Sequence, residues 1–321
     1  MRWGFRVATD RRFGAGHFAR SQALASALGA ELVLYCDPDH TIATSWPSPV
    51  VCEAAADRAD AALSALRQHT IQALIFDSYA INDSVISDAV SEGFVAAFRD
   101  VSAHGPEAIS INPNPGQTES DASLSGPKYM PLPAAFAERN ENARSVAKTP
   151  ADRLAVLIAF GAYDSSNRTM TAVKGLAKHT DRIRAVVALG PNAIHRVEVA
   201  AAAEKLPSVE VRGAIDDLAE SYGTFDIAIG APGVSQFERA CCGLPSVLVA
   251  QSERQEPLVQ AWGETGAVLP CGSDENAISR AVGEILNDRR KISQMRQRGL
   301  SLVDGKGAAR LAETLTRKVA A

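Results

Sequence analysis

Residues 5–28 read FRVATDRRFGAGHFARSQALASAL, and this stretch indicates the fold. The apolar run Phe5–Thr9 predicts a buried strand, and the spacing of apolar residues over His17–Leu28 predicts a helix directly after it. Gly14 and Gly16 lie between them, where glycine lets the backbone approach a ligand and a helix start offers N–H groups and a positive dipole end. The stretch therefore predicts an α/β unit with a ligand-binding turn, although a plain tight turn has the same composition.

The same alternation of short apolar runs and amphipathic stretches continues through both halves of the chain. Further strands are expected at Glu31–Cys36, Ala73–Asp77, Val95–Phe98, Ala108–Asn112, Leu154–Phe160, Ile183–Leu189, Val209–Arg212, Asp226–Gly230 and Ser246–Ala250. Further helices are expected at Ala54–Gln68, Asn82–Glu92, Ser166–Lys178, Asn192–Glu204, Asp216–Tyr222, Ser235–Cys242 and Leu258–Gly266. Strands that alternate with helices imply parallel sheets covered on both faces.

This alternation predicts two doubly wound, Rossmann-like domains that face each other across a cleft. We place the first domain at residues 1–140 and the second at 150–321, with the polar stretch Glu138–Asp152 as a linker. The tail from Glu275 is helical by pattern, and its last helix, after Gly305–Gly307, can cross back to the first domain. Ligands of such sheets bind beyond the carboxyl ends of the strands, so the cleft is the expected site.

Composition excludes several classes of protein. At 321 residues the chain has the length of about two domains, and its net charge of −4, without a Lys/Arg tract, argues against a nucleic-acid partner. The five cysteines form no CxxC pair and the six histidines no ligand pattern, so we expect no metal and no cofactor. No apolar stretch approaches the ~20 residues of a membrane span. The sequence predicts a cytoplasmic monomer without a membrane partner.

His17 is the first candidate catalytic residue. It lies at the predicted start of a helix, where the dipole opposes protonation and favours the neutral imidazole. A neutral imidazole is the form that acts as a general base. A histidine at this place can also be a capping or solvated residue.

The second informative stretch is residues 228–245, AIGAPGVSQFERACCGLP, which joins a predicted strand to a helix. Ser235 and the amides around Gly233 and Val234 can cradle a phosphate at the helix start. Glu238 lies one turn further on the same face, within reach of the ribose hydroxyls of a nucleotide. A capping box between Ser235 and Glu238 explains the same spacing.

Other candidates follow predicted strands. Asp77 and Tyr79 would point into the cleft, Gly161 ends the first strand of the second domain, and the backbone of Ile215 could pair with a planar base. N-capping of the next helix by Asp216 explains the turn at Ile215 equally well. The remaining candidates, Asn112 and Tyr129, lie in predicted loops. A turn formed by the neighbouring prolines explains the stretch at Asn112 equally well.

These segments resemble, in order, those of the UDP-sugar hydrolase family of pseudaminic acid biosynthesis (the PseG type). The matching residues are Gly14, Gly16, His17, Arg20, Leu24, Ala25, Asp77, Tyr79, Gly126–Tyr129, Phe160–Asp164, Glu238, Arg254, Gln255 and Asp304–Ala308. The second half is also similar to the peptidoglycan N-acetylglucosaminyltransferase, whose uracil turn matches Ile215–Ala219. In that resemblance Ser235 faces phosphate, Glu238 the ribose and Gln255 the sugar.

The resemblance implies a GT-B fold and hydrolysis of UDP-2,4-diacetamido-2,4,6-trideoxy-β-L-altropyranose to the free sugar and UDP. His17 would orient or deprotonate the attacking water, and Asp77 and Tyr79 would orient the histidine or the sugar. Helix-end amides, and not a cation, would stabilise the leaving group. A surface or flagellar nonulosonic acid would be the final product. The implied substrate-binding residues are Gly14, Gly16, Arg20, Asn112, Tyr129, Gly161, Ile215, Gly233, Val234, Ser235, Glu238 and Gln255.

Two residues depart from the family pattern. Ser78 stands where the family has histidine, and Arg99 stands where the family has the first of two aspartates. These two differences leave the identity of the sugar open. Two other functions stay open. A glycosyltransferase is the first, although Arg20 replaces the proline of the peptidoglycan enzyme, and a non-catalytic UDP-sugar binding protein is the second.

Overall fold

The computed structural model describes residues 1–9, 15–29, 31–37, 46, 49–52, 58–100, 108–146, 152–190, 192–213 and 218–320. In chain order the strands are β1 (Arg2–Val7), β2 (Glu31–Cys36), β3 (Val50–Cys52), β4 (Ala73–Asp77), β5 (Phe94–Phe98), β6 (Ile109–Asn112), β7 (Ser123–Ser125), β8 (Leu154–Ala159), β9 (Ile183–Ala188), β10 (Val209–Arg212), β11 (Ile227–Gly230), β12 (Ser246–Val249) and β13 (Val268–Cys271). The helices are α1 (Gly16–Leu28), α2 (Asp60–Arg67), α3 (Asp83–Glu92), α4 (Ala135–Ser145), α5 (Arg168–Gly175), α6 (Arg196–Ala203), α7 (Leu218–Ser221), α8 (Val234–Cys241), α9 (Glu256–Glu264), α10 (Glu275–Asn287), α11 (Arg290–Leu302) and α12 (Gly307–Val319).

The chain divides into two compact units. The first unit comprises Met1–Ala134 and Gly305–Ala321, and the second comprises Ala135–Asp304. The first contains a sheet of order β3-β2-β1-β4-β5-β6-β7 and the second a sheet of order β10-β9-β8-β11-β12-β13. The paired strands of both sheets are parallel, which confirms two doubly wound, Rossmann-like domains.

The sheet of the first unit is packed on both faces. Alternating residues of β1, such as Phe5, contact a cluster that includes Leu24 of α1 and Leu311 of α12. The opposite face packs Phe76 and its neighbours against α2 and α3, where Leu66 is 1% exposed. Each such buried side chain contributes about 1.5–3 kcal/mol. The last helix of the chain is therefore part of the core of the first unit.

The order of the first sheet creates a switch point between β1 and β4. The chain runs from β1 outward to β2 and β3, then returns to β4 on the other side of β1. Ligands of open α/β sheets bind at the carboxyl edge of the strands beside such a point. The residues that follow β1, β4, β5 and β6 lie along this edge.

The expected linker Glu138–Asp152 is wrong over its first half, because Ala135–Ser145 form helix α4 of the second unit. Asn140 is 3% exposed, and its Nδ2 donates to the carbonyls of Cys241 and Val303 at 2.9 and 3.0 Å. The stretch resembles a linker in composition because few of its side chains are buried, and the helix is anchored by hydrogen bonds. Residues 147–151 lie outside the described part.

Over the described residues, the other expected strands and helices are found within a few residues of their predicted ends, except that α2 begins only at Asp60. The predicted helix starts at Ala54 and Asp216 lie outside the described residues. Three strands were not predicted. These are β3, β7 and β13, which are three or four residues long. Each is an edge strand of its sheet, and a strand this short shows little periodicity in the sequence. Among the described helices, none has both the length and the apolar character of a membrane span.

Candidate functional site

The ends of three neighbouring strands bring a buried charged cluster together in the first unit. His17 follows β1 at the start of α1, Asp77 ends β4 and Asp100 follows β5. His17 Nδ1 lies 2.5 Å from Asp77 Oδ1, and the two side chains are 4% and 0% exposed. An imidazole and a carboxylate are therefore held in contact at the carboxyl edge of the sheet.

Asp77 uses its whole hydrogen-bonding capacity inside this cluster. Its Oδ1 also accepts from Arg20 Nη2 at 2.6 Å, and its Oδ2 accepts from Arg20 Nε and Ser21 Oγ at 2.8 and 2.9 Å. Burial alone would raise the pKa of Asp77, but Arg20 and His17 lower it from 3.8 to about 2. Because an ionised carboxylate only accepts hydrogen bonds, His17 must carry its proton on Nδ1 to bond with it.

Arg20 joins the two carboxylates of the cluster. Its Nη1 and Nη2 donate to Asp100 Oδ1 and Oδ2 at 2.8 and 2.9 Å, in addition to the bonds to Asp77. Burial opposes the charge of Arg20, but Asp100 and Asp77 raise its pKa well above the ordinary value. The guanidinium lies 4.4 Å from the centre of the Phe98 ring. Arg20, expected to bind substrate, is thus placed where its hydrogen bonds hold the cluster together.

Tyr79 contacts both ends of the cluster. Its hydroxyl donates to Asp100 Oδ2 at 2.8 Å, and its ring packs edge-on against the His17 ring with centroids 4.5 Å apart. The residue is nevertheless 46% exposed. Tyr79 therefore combines a fixed hydroxyl with a ring that solvent or a ligand can contact.

The other first-unit candidates have different surroundings. Asn112 is 3% exposed, and its Oδ1 accepts from the Nδ2 of Asn114, which also donates to the Asp100 carbonyl at 3.2 Å. Tyr129 packs in the core, and its hydroxyl donates to Glu119, so no contact joins it to the cluster in the described part. Gly16 begins α1, and Gly14 lies outside the described residues.

The low pKa of Asp77 makes the stability of the protein depend on pH. Its carboxylate is ionised in the folded state down to about pH 2, whereas an unfolded aspartate binds a proton near pH 3.8. Its stabilisation, worth about 2 kcal/mol, is present above pH 4 and is lost as the pH falls towards 2. Urea unfolding from pH 5 to pH 2 should therefore show a steeper loss for wild type than for Asp77→Asn. Parallel curves for the two proteins would contradict the low pKa.

In the second unit, helix α8 begins at Val234 with Gly233 as its N-cap. Ser235 is thus the second helical residue, so the capping box between Ser235 and Glu238 is wrong. The amides of Val234 and Ser235 have no acceptor within the helix by position, and Gly233 is exposed with open space beside it. Glu238 is half-buried and accepts from the hydroxyl of Tyr222 at 3.2 Å.

Two further candidates lie on loops at the same edge of the second sheet. Gly161, after β8, has φ +83°, a conformation that favours glycine, and it is exposed. Gln255, after β12, accepts from the Gln251 amide at 2.9 Å, and Gln251 Nε2 donates to the Phe160 carbonyl at 3.1 Å. A hydrogen bond therefore joins the loop after β12 to the end of β8. Both lie beside the strand β11 that precedes α8, because the strand order is β8-β11-β12. Ile215 lies outside the described residues.

Sequence reasoning missed part of the cluster. Asp100 and Ser21 are not among the residues predicted from the sequence. Asp100 directly follows the apolar strand β5 much as Asp77 ends β4, and this parallel could have indicated it. Arg99 Nη1 pairs with Asp83 Oδ1 at 2.5 Å, and Ser78 Oγ accepts from the Ala80 amide at 3.1 Å. In the described residues, no group of three or more His, Cys, Asp or Glu could hold a metal ion.

Comparison with known proteins identifies distant relatives. No protein-family model matches the chain. The spore coat polysaccharide biosynthesis protein SpsG of Bacillus subtilis (strain 168) is 27% identical over 206 residues, which are 59% of this chain and 57% of that protein. The chain therefore spans little more than half of the length of that relative.

Solved structures match over nearly the whole chain. The crystal structure of MurG from Acinetobacter baumannii has a TM-score of 0.72 and 13% identity, covering 99% of this chain and 100% of that chain. The UDP-GlcNAc 2-epimerase from Neisseria meningitidis, solved with UDP-GlcNAc bound, has a TM-score of 0.69 and 10% identity with the same coverage. At these identities the likeness shows the fold alone, and it confirms the GT-B class.

Proposed function

We propose that the chain hydrolyses a UDP-linked 2,4-diacetamido-2,4,6-trideoxyhexose at its anomeric carbon, in the biosynthesis of a nonulosonic acid such as pseudaminic acid. The observation that carries this proposal is the buried pair of His17 Nδ1 and Asp77 Oδ1 at 2.5 Å. A histidine oriented by an ionised carboxylate is the arrangement of a general base. The order of the PseG-type motifs along the chain supports the hydrolytic reaction.

In the proposed step, His17 Nε2 accepts a proton from water as the water oxygen bonds to the anomeric carbon. The bond from that carbon to the β-phosphate oxygen breaks at the same centre, and UDP leaves with the electron pair. Asp77 stabilises the imidazolium that forms, because its carboxylate already accepts from Nδ1. Arg20 and Asp100 act as positioning residues that hold Asp77, and Tyr79 holds the ring of His17 at its edge.

The UDP moiety is assigned to the second unit. The amides of Val234 and Ser235 at the start of α8 would donate hydrogen bonds to the diphosphate, which suits the positive end of a helix dipole. Glu238, one turn later, would accept the ribose hydroxyls. The name of SpsG supports a role in polysaccharide synthesis, and the UDP-GlcNAc bound to the Neisseria enzyme supports a UDP-sugar as substrate.

Replacement of Glu238 by alanine should weaken UDP binding by roughly 1.5–3 kcal/mol, the usual loss when a charged hydrogen-bond acceptor is removed. Isothermal titration calorimetry of UDP against wild type and Glu238→Ala measures this loss. Glu264→Ala, at the last residue of α9, serves as the matched control and should bind UDP normally. An unchanged dissociation constant in Glu238→Ala would remove the ribose role.

The proposed function is tested by proton and phosphorus NMR of the purified protein with UDP-linked diacetamido-trideoxy-altrose and no acceptor. Release of UDP and free sugar, also in the presence of EDTA, is the expected result. Binding without UDP release would contradict hydrolysis and favour a glycosyltransferase lacking its acceptor or a binding protein. Absence of binding, with turnover of another UDP-sugar, would reject the proposed sugar and assign the difference to Ser78 and Arg99.

A further inference from the structure

The second unit contains a fully buried arginine in helix α8. Arg239, in α8, is 1% exposed. Its Nε donates to Ser246 Oγ at 2.9 Å, and its Nη2 donates to the Ala231 carbonyl and to Gln236 Oε1, both at 3.0 Å. In the part of the chain that the structure describes, these acceptors are a hydroxyl, a carbonyl and an amide oxygen, and none is a carboxylate.

The surroundings of Arg239 are adapted to its guanidinium. A Cβ on Gly230 would lie 2.9 Å from Arg239 Nη1 and 2.6 Å from the carbonyl oxygen of Ala159. A side chain at Gly230 would therefore displace the guanidinium from the carboxyl end of β11. Burial lowers the pKa of Arg239, and the nearby Glu238 carboxylate acts against this shift without accepting a hydrogen bond from the guanidinium among the contacts described above.

The contacts of Arg239 connect the end of β11 with the first turn of α8. Ala231 lies in the loop just before the helix, and Gln236 is its third residue, with a buried amide nitrogen that has no partner among the described residues. The Gln236 backbone amide donates to the Gly233 carbonyl at 2.9 Å, which closes the turn around the helix start. The side chain of Arg239 thus holds both ends of the segment that contains Val234 and Ser235.

We propose that Arg239 is a positioning residue for the diphosphate of the UDP-sugar, an inference that rests on the proposed function. It holds the Ala231–Gln236 segment so that the amides of Val234 and Ser235 are directed at the diphosphate. Its positive charge, bonded to Ala231 and Gln236 at the two ends of this segment, favours an anion there over a neutral ligand. The protein thus supplies a cation of its own beside the helix-end amides.

The test compares binding of UDP with binding of uridine, which shares the base and ribose but has no charge. A unit positive charge about 10 Å from one negative charge of a diphosphate, at an effective dielectric constant of about 20, changes affinity by roughly tenfold. Calorimetry should therefore show that Arg239→Gln weakens UDP binding about tenfold or more and uridine binding less than about twofold. Arg239→Lys keeps the charge and should recover most of the UDP affinity.

Arg296→Gln is the matched control. Arg296 is another partly buried arginine of the second unit, and it donates to the carbonyls of Gly243 and Ala143, beyond the opposite end of α8. This variant should keep the ratio of UDP to uridine affinity. Equal losses of UDP and uridine binding in Arg239→Gln, or no loss, would overturn the proposal while the function stands. A wild-type protein that binds no UDP would overturn both.

A second variant keeps the proposal testable if Arg239→Gln does not fold. Ser246→Ala removes the acceptor of Nε and leaves the charge in place. It should weaken UDP binding about threefold or more, because one of the three hydrogen bonds that orient the guanidinium is lost, and leave uridine binding unchanged. UDP affinity equal to that of wild type would overturn the positioning role.

Discussion

His17→Ala is expected to lower the turnover of the UDP-sugar by about 10²–10⁴-fold, the usual contribution of a general base. UDP affinity should change little, because UDP is assigned to the second unit and His17 belongs to the first. The loss should appear in kcat and not in the dissociation constant of UDP. Single-turnover release of UDP, followed by phosphorus NMR, measures it together with calorimetry of UDP binding.

The matched control is His195→Ala. His195 is half-exposed at the start of α6 in the second unit, and its side chain makes no capping hydrogen bond. This variant should turn over at the wild-type rate. Near-normal turnover of His17→Ala would remove the imidazole from the proposed mechanism and leave the cluster with a purely structural role.

Asp77→Asn is expected to lower turnover by about 10³–10⁴-fold, comparable to the loss when a histidine loses the carboxylate that sets its tautomer. The amide of asparagine can donate to Nδ1, which places the imidazole proton on Nε2, where it cannot accept a proton from water. Kinetic assays measure the loss in kcat. Nitrogen-15 NMR of the His17 ring should show the proton moved from Nδ1 to Nε2.

Asp100→Asn separates this effect from damage to the cluster. Asp100 pairs with Arg20 and Tyr79 but not with the imidazole, so its loss should cost about tenfold in turnover and leave the tautomer unchanged. Thermal unfolding of both variants measures the structural cost of each. Equal losses of turnover in the two variants, with the same tautomer in both, would contradict the orienting role of Asp77.

Much of the fold follows from local pattern. The buried parallel strands were predicted because runs such as residues 73–76 are continuously apolar and are bounded by polar residues. The short strands near the sheet ends were not, since Ser123–Ser125 and Val268–Cys271 carry polar or proline residues that only pairing with a neighbour makes into strands. Helix α4 was missed because hydrogen bonds from Asn140, and not apolar periodicity, attach it to the second unit.

Some of the candidate residues can likewise be recognised from local pattern, whereas their partners cannot. A histidine at a helix start and a Ser-x-x-Glu spacing are visible within a few residues of chain, so the positions of His17 and Glu238 could be named in advance. In the sequence, the start of the helix is the local feature that acts on the protonation of His17. The ionised Asp77 on Nδ1, 60 residues away in the chain, is a stronger local influence on which nitrogen carries the proton.

The sequence alone predicts two parallel α/β domains, because the period of apolar residues encodes strands and helices locally. It also determined which strand ends carry polar side chains. Only the tertiary structure decided that Asp77 and Asp100 share one guanidinium, and that Arg239 occupies the space beside Gly230. These contacts depend on strand order and side-chain packing, which join residues far apart in the chain, and no local pattern contains that information.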